Sequence, residues 1–178
     1  MSINFLQFTY KIPSEPSKNR VHIWRSLKEL GAIYLQQGVT LLPYDEKLEK
    51  ILKELREEVN SLGGKSTLSE LKFLNETDEE DIILEFKEQI NKEYIEFQNN
   101  CERFIYEINR EIENNNFQFS ELEENEEELK KLERWYNKIC KREYFESENE
   151  EKANGMLEKL KLKVQEYSHK VCKVDEEK

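Results

Sequence analysis

The chain has 178 residues, enough for one compact domain with an appendage or for two small domains. Its 39 acidic and 28 basic residues give a formal net charge of −11, which excludes a broad nucleic-acid-binding surface but leaves room for a local basic face. Hydrophobic residues make up 37% and aromatic residues 11%, so the chain is predicted to fold although 38% of it is charged.

The cysteine spacing and the amino-terminal residues indicate the cellular compartment in which the chain is expected. Cys101, Cys140 and Cys172 are widely spaced and form no Cys-x-x-Cys motif, which predicts neither a disulfide framework nor a thiolate metal site. The chain opens without the charged and apolar regions of a signal peptide, and it contains no run of about 18 apolar residues. We therefore expect a cytoplasmic protein that does not span a membrane.

Residues 1–75 predict alternating strands and helices. A β-type run at residues 5–12 ends at two prolines, and Ser17 is the predicted N-cap of a first helix that ends near Gly31. Two further β segments surround Gln36, Gln37 and Gly38, as in a tight hairpin or a bulged strand. The first helix is predicted to bury the stripe Val21, Trp24, Leu27 and Leu30.

A second helix is predicted to begin at Asp45 and to stop at Gly63 and Gly64. A last strand is then predicted over residues 67–74, which include the apolar residues Leu68, Leu71 and Leu74. The resulting order is βαββαβ. This order predicts an α+β fold with a ferredoxin-like domain, an antiparallel sheet with two helices, over residues 1–75.

Residues 76–178 predict an acidic, α-helical, coiled-coil-like domain. Apolar residues recur at steps of three or four through three segments, the first of which ends at Asn114, Asn115 and Asn116. Such stripes require a partner surface, so we expect an antiparallel helical hairpin or a three-helix bundle. The pattern leaves open whether the helices pack within one chain or between subunits.

A cluster of polar and basic residues near the first helix is the candidate site. The helix start carries free amides and a positive dipole end, which attract anions such as DNA phosphate or a small oxyanion. Ion pairing of these cations with the acidic helices, in the same chain or in a partner subunit, is the competing interpretation. The candidate DNA- or anion-binding residues are Lys11, Ser17, Lys18, Arg20, Arg25 and Lys28.

The sequence offers no catalytic, metal or cofactor site. His22 and His169 are far apart and have no metal-ligand spacing, and no phosphate-binding glycine motif follows a strand. Cys101 lies on an apolar stripe, which predicts a buried thiol rather than a redox sensor. We therefore expect a protein that is not an enzyme and that uses no cofactor.

Eight short segments of the amino-terminal part form a specific pattern: residues 10–17, 20–21, 24–25, 27–28, 30–32, 35–36, 38–39 and 42–43. Together they resemble the amino-terminal domain of ChrB, a regulator associated with chromate resistance in bacteria. Weaker similarity continues through Gly63 and Gly64 and through residues 132–135 and 141–145. A more distant likeness connects the βαββαβ part to the central domain of PaaX-type repressors.

The resemblance implies a regulatory or accessory protein of a chromate-responsive system that acts by binding DNA or a protein partner. Its expected assembly is a homodimer, and chromate or sulfate is the expected oxyanion if a ligand is sensed. The alternative function is a structural protein-protein interaction module that uses its helical stripe and binds no DNA.

Overall fold

The structure is a computed structural model that describes residues 3–176. The chain divides into two compact units, Met1–Phe86 and Lys87–Lys178. Strands and helices alternate in the first unit, and long helices follow, so the predicted α+β fold class is confirmed.

The amino-terminal unit contains a four-stranded sheet in which every neighbouring pair of strands is antiparallel. The elements of this unit, in chain order, are β1 Phe5–Lys11, α1 Ser17–Glu29, β2 Ile33–Gln36, β3 Val39–Pro43, α2 Glu46–Ser61 and β4 Lys65–Leu71. The sheet order is β2-β3-β1-β4, so β1 lies between β3 and β4 and the chain crosses over twice. The helix α2 packs against β4 and β1.

The register of β1 explains the core of this unit. Phe8 is 1% exposed and lies opposite Thr40 of β3 and Leu68 of β4. The buried Thr40 hydroxyl donates a 3.0 Å hydrogen bond to the Phe8 carbonyl, so its polar atom is satisfied. At the far end of the same ladder, Lys11 lies opposite Lys65.

The predicted apolar face of α1 is wrong by part of a turn. Ile23 and Leu27 are the buried residues of α1, whereas Val21 and Trp24 are each 42% exposed. The three-residue steps of the sequence fit two neighbouring faces of one helix, and packing on the sheet selects the face that carries Ile23. Ser17 is also not the N-cap, because Pro16 holds that position and no side chain caps the helix.

Turn residues account for the ends of several elements. Gly38 has φ +76° in the β2–β3 turn. The strand β2 carries a register shift between Tyr34 and Gln36, which agrees with the predicted tight hairpin or bulged strand. Asp45 caps α2 by accepting hydrogen bonds from the amides of Lys47 and Leu48 at 2.8 and 3.1 Å. The last strand is β4 Lys65–Leu71, so the prediction that it extends to Leu74 is wrong, and Leu74 is fully exposed.

Three long helices follow β4: α3 Glu76–Glu113, α4 Phe119–Cys140 and α5 Glu150–Glu176. The division between the two units falls within α3. In the carboxy-terminal unit, residues from all three helices share one buried core. Its largest side chains include Tyr94, Phe97 and Tyr167, none of which has measurable exposure.

Side-chain contacts give the directions of these helices. Glu93 pairs with Arg142 and Glu111 accepts from Asn125, so α3 and α4 run antiparallel. Tyr136 donates to Glu150 at 2.9 Å, and Glu133 pairs with Lys161 at 3.5 Å, so α4 and α5 are also antiparallel. The arrangement is a three-helix bundle that closes within one chain.

The connection between α4 and α5 is held by buried polar contacts to α3. Tyr94 donates a 2.6 Å hydrogen bond to Glu143, and the hydroxyl of Ser147 hydrogen-bonds Asn91. Burial, assisted by the bond to Glu143, raises the pKa of the Tyr94 phenol above its ordinary value, so Tyr94 remains a neutral donor. Cys101 is fully buried, and this burial raises the pKa of its thiol to about 12.

Among residues 3–176, no helix combines the length and the apolar character that crossing a bilayer requires.

Candidate functional site

The amino-terminal unit contains an open groove between β1, the start of α1, the β2–β3 turn and the segment after α2. We call it the basic groove. Its cavity volume is about 1210 Å³, and it is lined by fourteen residues. None of the fourteen is aspartate or glutamate, whereas the whole chain has 39 of these residues.

Three cations line the basic groove, and each comes from a different element. Lys11 ends β1, Arg20 lies in the first turn and a half of α1, and Lys65 begins β4. The antiparallel ladder places Lys65 opposite Lys11. The salt bridges found within residues 3–176 involve none of these three side chains. Three uncompensated cations around one opening make the site attractive to anions.

Aromatic side chains line the same groove. Tyr10, Trp24 and Tyr34 are all lining residues, and the Tyr10 and Tyr34 hydroxyls are 3.1 Å apart. Burial, followed by the hydrogen bond to Tyr10, raises the pKa of Tyr34 above its ordinary value, so its hydroxyl stays neutral. The Lys28 ammonium lies 5.0 Å from the Trp24 ring centroid, in cation–π contact.

The start of α1 contributes further polar groups. Ser14 and Ser17 line the groove, and the first turn of α1 contains no acidic residue. No side chain caps the helix start, so its first amides donate no hydrogen bond to a capping side chain and its positive dipole end faces the groove without a capping carboxylate. On α1, His22 Nε2 lies 2.7 Å from a carboxylate oxygen of Glu58, and neither residue lines the groove.

Glycines allow the backbone segments to meet here. Tyr10 donates its amide to the Gly38 carbonyl at 2.8 Å, and a Cβ on Gly38 would lie 2.5 Å from the Tyr10 carbonyl oxygen. A Cβ on Gly64 would lie 2.7 Å from the Lys11 carbonyl oxygen. These close approaches position Tyr10 and Lys11 at the groove.

The structure divides the six predicted site residues into two sets. Lys11, Ser17 and Arg20 line the basic groove. Lys18, Arg25 and Lys28 are exposed on α1 outside the lining, and no salt bridge in the described part of the chain involves them. The competing interpretation, in which these cations pair with the acidic helices of the same chain or of a partner subunit, stays a prediction.

Sequence reasoning did not find Lys65, Tyr10, Trp24 and Tyr34 as groove residues. Lys65 lies 54 positions after Lys11 and reaches the groove through the β1–β4 pairing, which the βαββαβ order implies without its register. Trp24 was assigned to the core because its spacing fits an apolar stripe. Within the described residues, no group of three or more His, Cys, Asp or Glu side chains could hold a metal ion.

Fold and groove together define an α+β protein with a local cationic and aromatic cleft in an otherwise acidic chain. The chain belongs to the family described as protein ChrB, N-terminal, whose model matches residues 20–178. The family connects the chain with chromate resistance. The match includes Arg20, Trp24 and Lys65, whereas residues 10–17, which contributed to the resemblance, precede it.

Neither the search of curated proteins nor the search of solved structures finds a match to this chain.

Proposed function

We propose that the chain is a non-enzymatic regulatory or accessory protein of chromate resistance that acts by binding DNA through the basic groove and the exposed cations of α1. The observation that carries the proposal is the basic groove itself, whose lining contains three cations and no carboxylate. The family membership supports the connection with chromate resistance. The proposal includes no catalytic step and no cofactor.

The net charge of −11 does not oppose this binding mode at physiological salt. The Debye length there is about 8 Å, so carboxylates farther than this from a bound phosphate are largely screened. The cations that lie beside the phosphate therefore dominate the interaction. Lys18, Arg20 and Arg25 all lie on α1 and provide such a local set.

The alternative function, docking of a partner on the helical stripe, requires that the stripe be exposed. The stripe residues of α4 and α5, such as Leu132, Leu157 and Leu160, are buried in the core that they share with α3. A partner could reach them only if the bundle opened. We therefore favour the groove over the stripe as the functional surface.

Replacing both Arg20 and Arg25 by alanine should weaken binding to duplex DNA from the upstream region of its own operon at least tenfold. Each lost phosphate contact should also lower the slope of log affinity against log salt by about 0.9. Electrophoretic mobility shifts at several salt concentrations would measure both quantities. The control is Arg134→Ala, which removes an exposed arginine of α4 in the carboxy-terminal unit. Equal binding by the wild type and the double variant would reject the DNA assignment.

We also propose a homodimer, because the sheet of the amino-terminal unit has two edge strands among the described residues, β2 and β4, and ferredoxin-like domains often pair through sheet edges or faces. Light scattering after size exclusion should give twice the 21.6 kDa chain mass. The fraction of dimer should fall on dilution if the contact is reversible. A mass of one chain at every concentration would contradict the dimer and leave the DNA proposal untouched.

A further inference from the structure

The lining of the basic groove has a composition that a bare inorganic oxyanion does not require. Alongside Lys11, Arg20 and Lys65 it contains three aromatic side chains, Tyr10, Trp24 and Tyr34. Cations recognise phosphate, whereas exposed aromatic rings recognise flat, weakly polar groups by stacking. The combination indicates a ligand that has both an anionic and a planar part.

The size of the groove allows a ligand much larger than one inorganic anion. Sites for small organic ligands usually enclose about 300–1,000 Å³. The basic groove, at about 1210 Å³, exceeds this range and is far larger than one tetrahedral anion. Chromate or sulfate would occupy only a small part of it.

Trp24 is the residue that a purely structural role explains least. It is 42% exposed although tryptophan favours burial, and it lies on α1 next to the buried Ile23. Lys28 lies 5.0 Å from the centroid of its ring, so this indole already contacts one cation by its π-face. Arg20 is one helical turn before Trp24, so a guanidinium and an indole lie on neighbouring positions of one helix face.

From these features we propose that the basic groove binds a nucleotide unit, with the phosphate held by Arg20, Lys11 and Lys65 and the base stacked against Trp24. The nucleotide can come from a single-stranded nucleic acid or from a free mononucleotide, since both present the same phosphate and base. The inference rests on the proposed function in one respect, namely that nucleic acid is the expected source.

The test uses the full chain and four probes: adenosine 5′-monophosphate, a single-stranded oligothymidine of about ten nucleotides, inorganic phosphate and sodium sulfate. Binding is followed by isothermal titration calorimetry and by tryptophan fluorescence. Trp24→Phe removes the fluorescence of the groove residue and leaves Trp135, the second tryptophan, as the internal reference. We expect the nucleotide, the oligonucleotide or both to bind and to quench Trp24, whereas phosphate and sulfate bind at least tenfold more weakly.

The matched variants are Arg20→Ala and Arg56→Ala, which remove the same charge from the amino-terminal unit at a lining position and at an exposed, non-lining position of α2. Arg20→Ala and Trp24→Ala should each weaken binding of the nucleotide probe about tenfold or more, and Arg56→Ala should weaken it less than twofold. Circular dichroism of each variant confirms that it is folded. Trp24→Phe keeps an aromatic ring at this 42% exposed position and provides a milder second substitution.

The two sources of the nucleotide give different results. Binding of the mononucleotide indicates a free nucleotide as ligand, and binding of the oligonucleotide alone indicates a single strand. The inference is overturned if neither probe binds, if phosphate binds as tightly as the nucleotide, or if Arg20→Ala and Arg56→Ala weaken binding equally. A duplex mobility shift in the same preparations keeps the outcomes separate, since duplex binding with no nucleotide binding would reject this inference and retain the proposed function.

Discussion

Phe97→Ala should lower the free energy of unfolding of the carboxy-terminal unit by about 3–5 kcal/mol. Phe97 has no measurable exposure, and its ring centroid lies 5.6 Å from that of Trp135 and 5.5 Å from that of Tyr136. The substitution removes buried apolar area, opens a cavity between α3 and α4, and deletes two aromatic contacts of about 0.5–1.5 kcal/mol each. Urea denaturation followed by Trp135 fluorescence would measure the loss.

The matched control for this substitution is Tyr106→Ala on the same helix. Tyr106 is 63% exposed, so its truncation should change the free energy of unfolding by no more than about 0.5 kcal/mol. Similar losses for both variants would show that the bundle core does not have the composition described above. In that case the helical stripe would again be available as a docking surface.

Gly38→Ala should destabilise the amino-terminal unit by about 2–4 kcal/mol and should also impair ligand binding in the basic groove. Gly38 has φ +76°, and its added Cβ would lie 2.5 Å from the Tyr10 carbonyl oxygen, a backbone atom that cannot rotate away. Relief of this contact requires the β2–β3 turn to move away from β1. Tyr10 and its hydroxyl contact with Tyr34 would then be displaced from the groove. Thermal denaturation and calorimetric titration of the nucleotide probe would measure the two effects.

Gly155→Ala should have the opposite effect on stability in the same thermal denaturation experiment. Gly155 lies in α5, and a Cβ there would meet no atom within 4 Å. Alanine has the higher helix propensity, so this variant should be more stable than the wild type by about 0.5–1 kcal/mol. A loss of stability at Gly155, or none at Gly38, would contradict the geometry of the two positions.

The two groups of predictions test different parts of the molecule. The Phe97 and Tyr106 pair concerns the bundle, and the Gly38 and Gly155 pair compares a strained turn with an open helix position. Substitutions of Arg20 and Arg25 change charge at the surface of α1 and should leave stability nearly unchanged. Loss of binding without loss of stability in these arginine variants would separate the site from the scaffold that supports it.

Much of the fold was predictable, because local patterns specify it. The helix α2 begins after Asp45, whose side chain caps it, and ends before Gly63, which has φ +75°. The α5 stripe, from Leu157 to Val171, is buried as its spacing predicts. Capping, glycine turns and helical periodicity act over a few residues, so their signals survive in a single sequence.

The site was only partly predictable. Lys11, Ser17 and Arg20 were found from their nearness in sequence, and these three line the basic groove. Lys65 was not found, because its position depends on the register between β1 and β4. Trp24 was assigned to the wrong environment, since a three-residue step does not determine which of two adjacent helix faces meets the sheet.

By itself, the sequence determined the order of strands and helices, the acidic character of the chain and the resemblance to the ChrB amino-terminal domain. Tertiary structure decided that the three helices bury their stripes against one another within one chain. It also decided that Lys65 joins Lys11 and that Trp24 faces solvent beside Arg20. The physical reason is the range of the interactions. Helix caps and periodicity depend on residues that are close in sequence, whereas strand register and the choice of the buried helix face depend on the free energy of the whole packed unit.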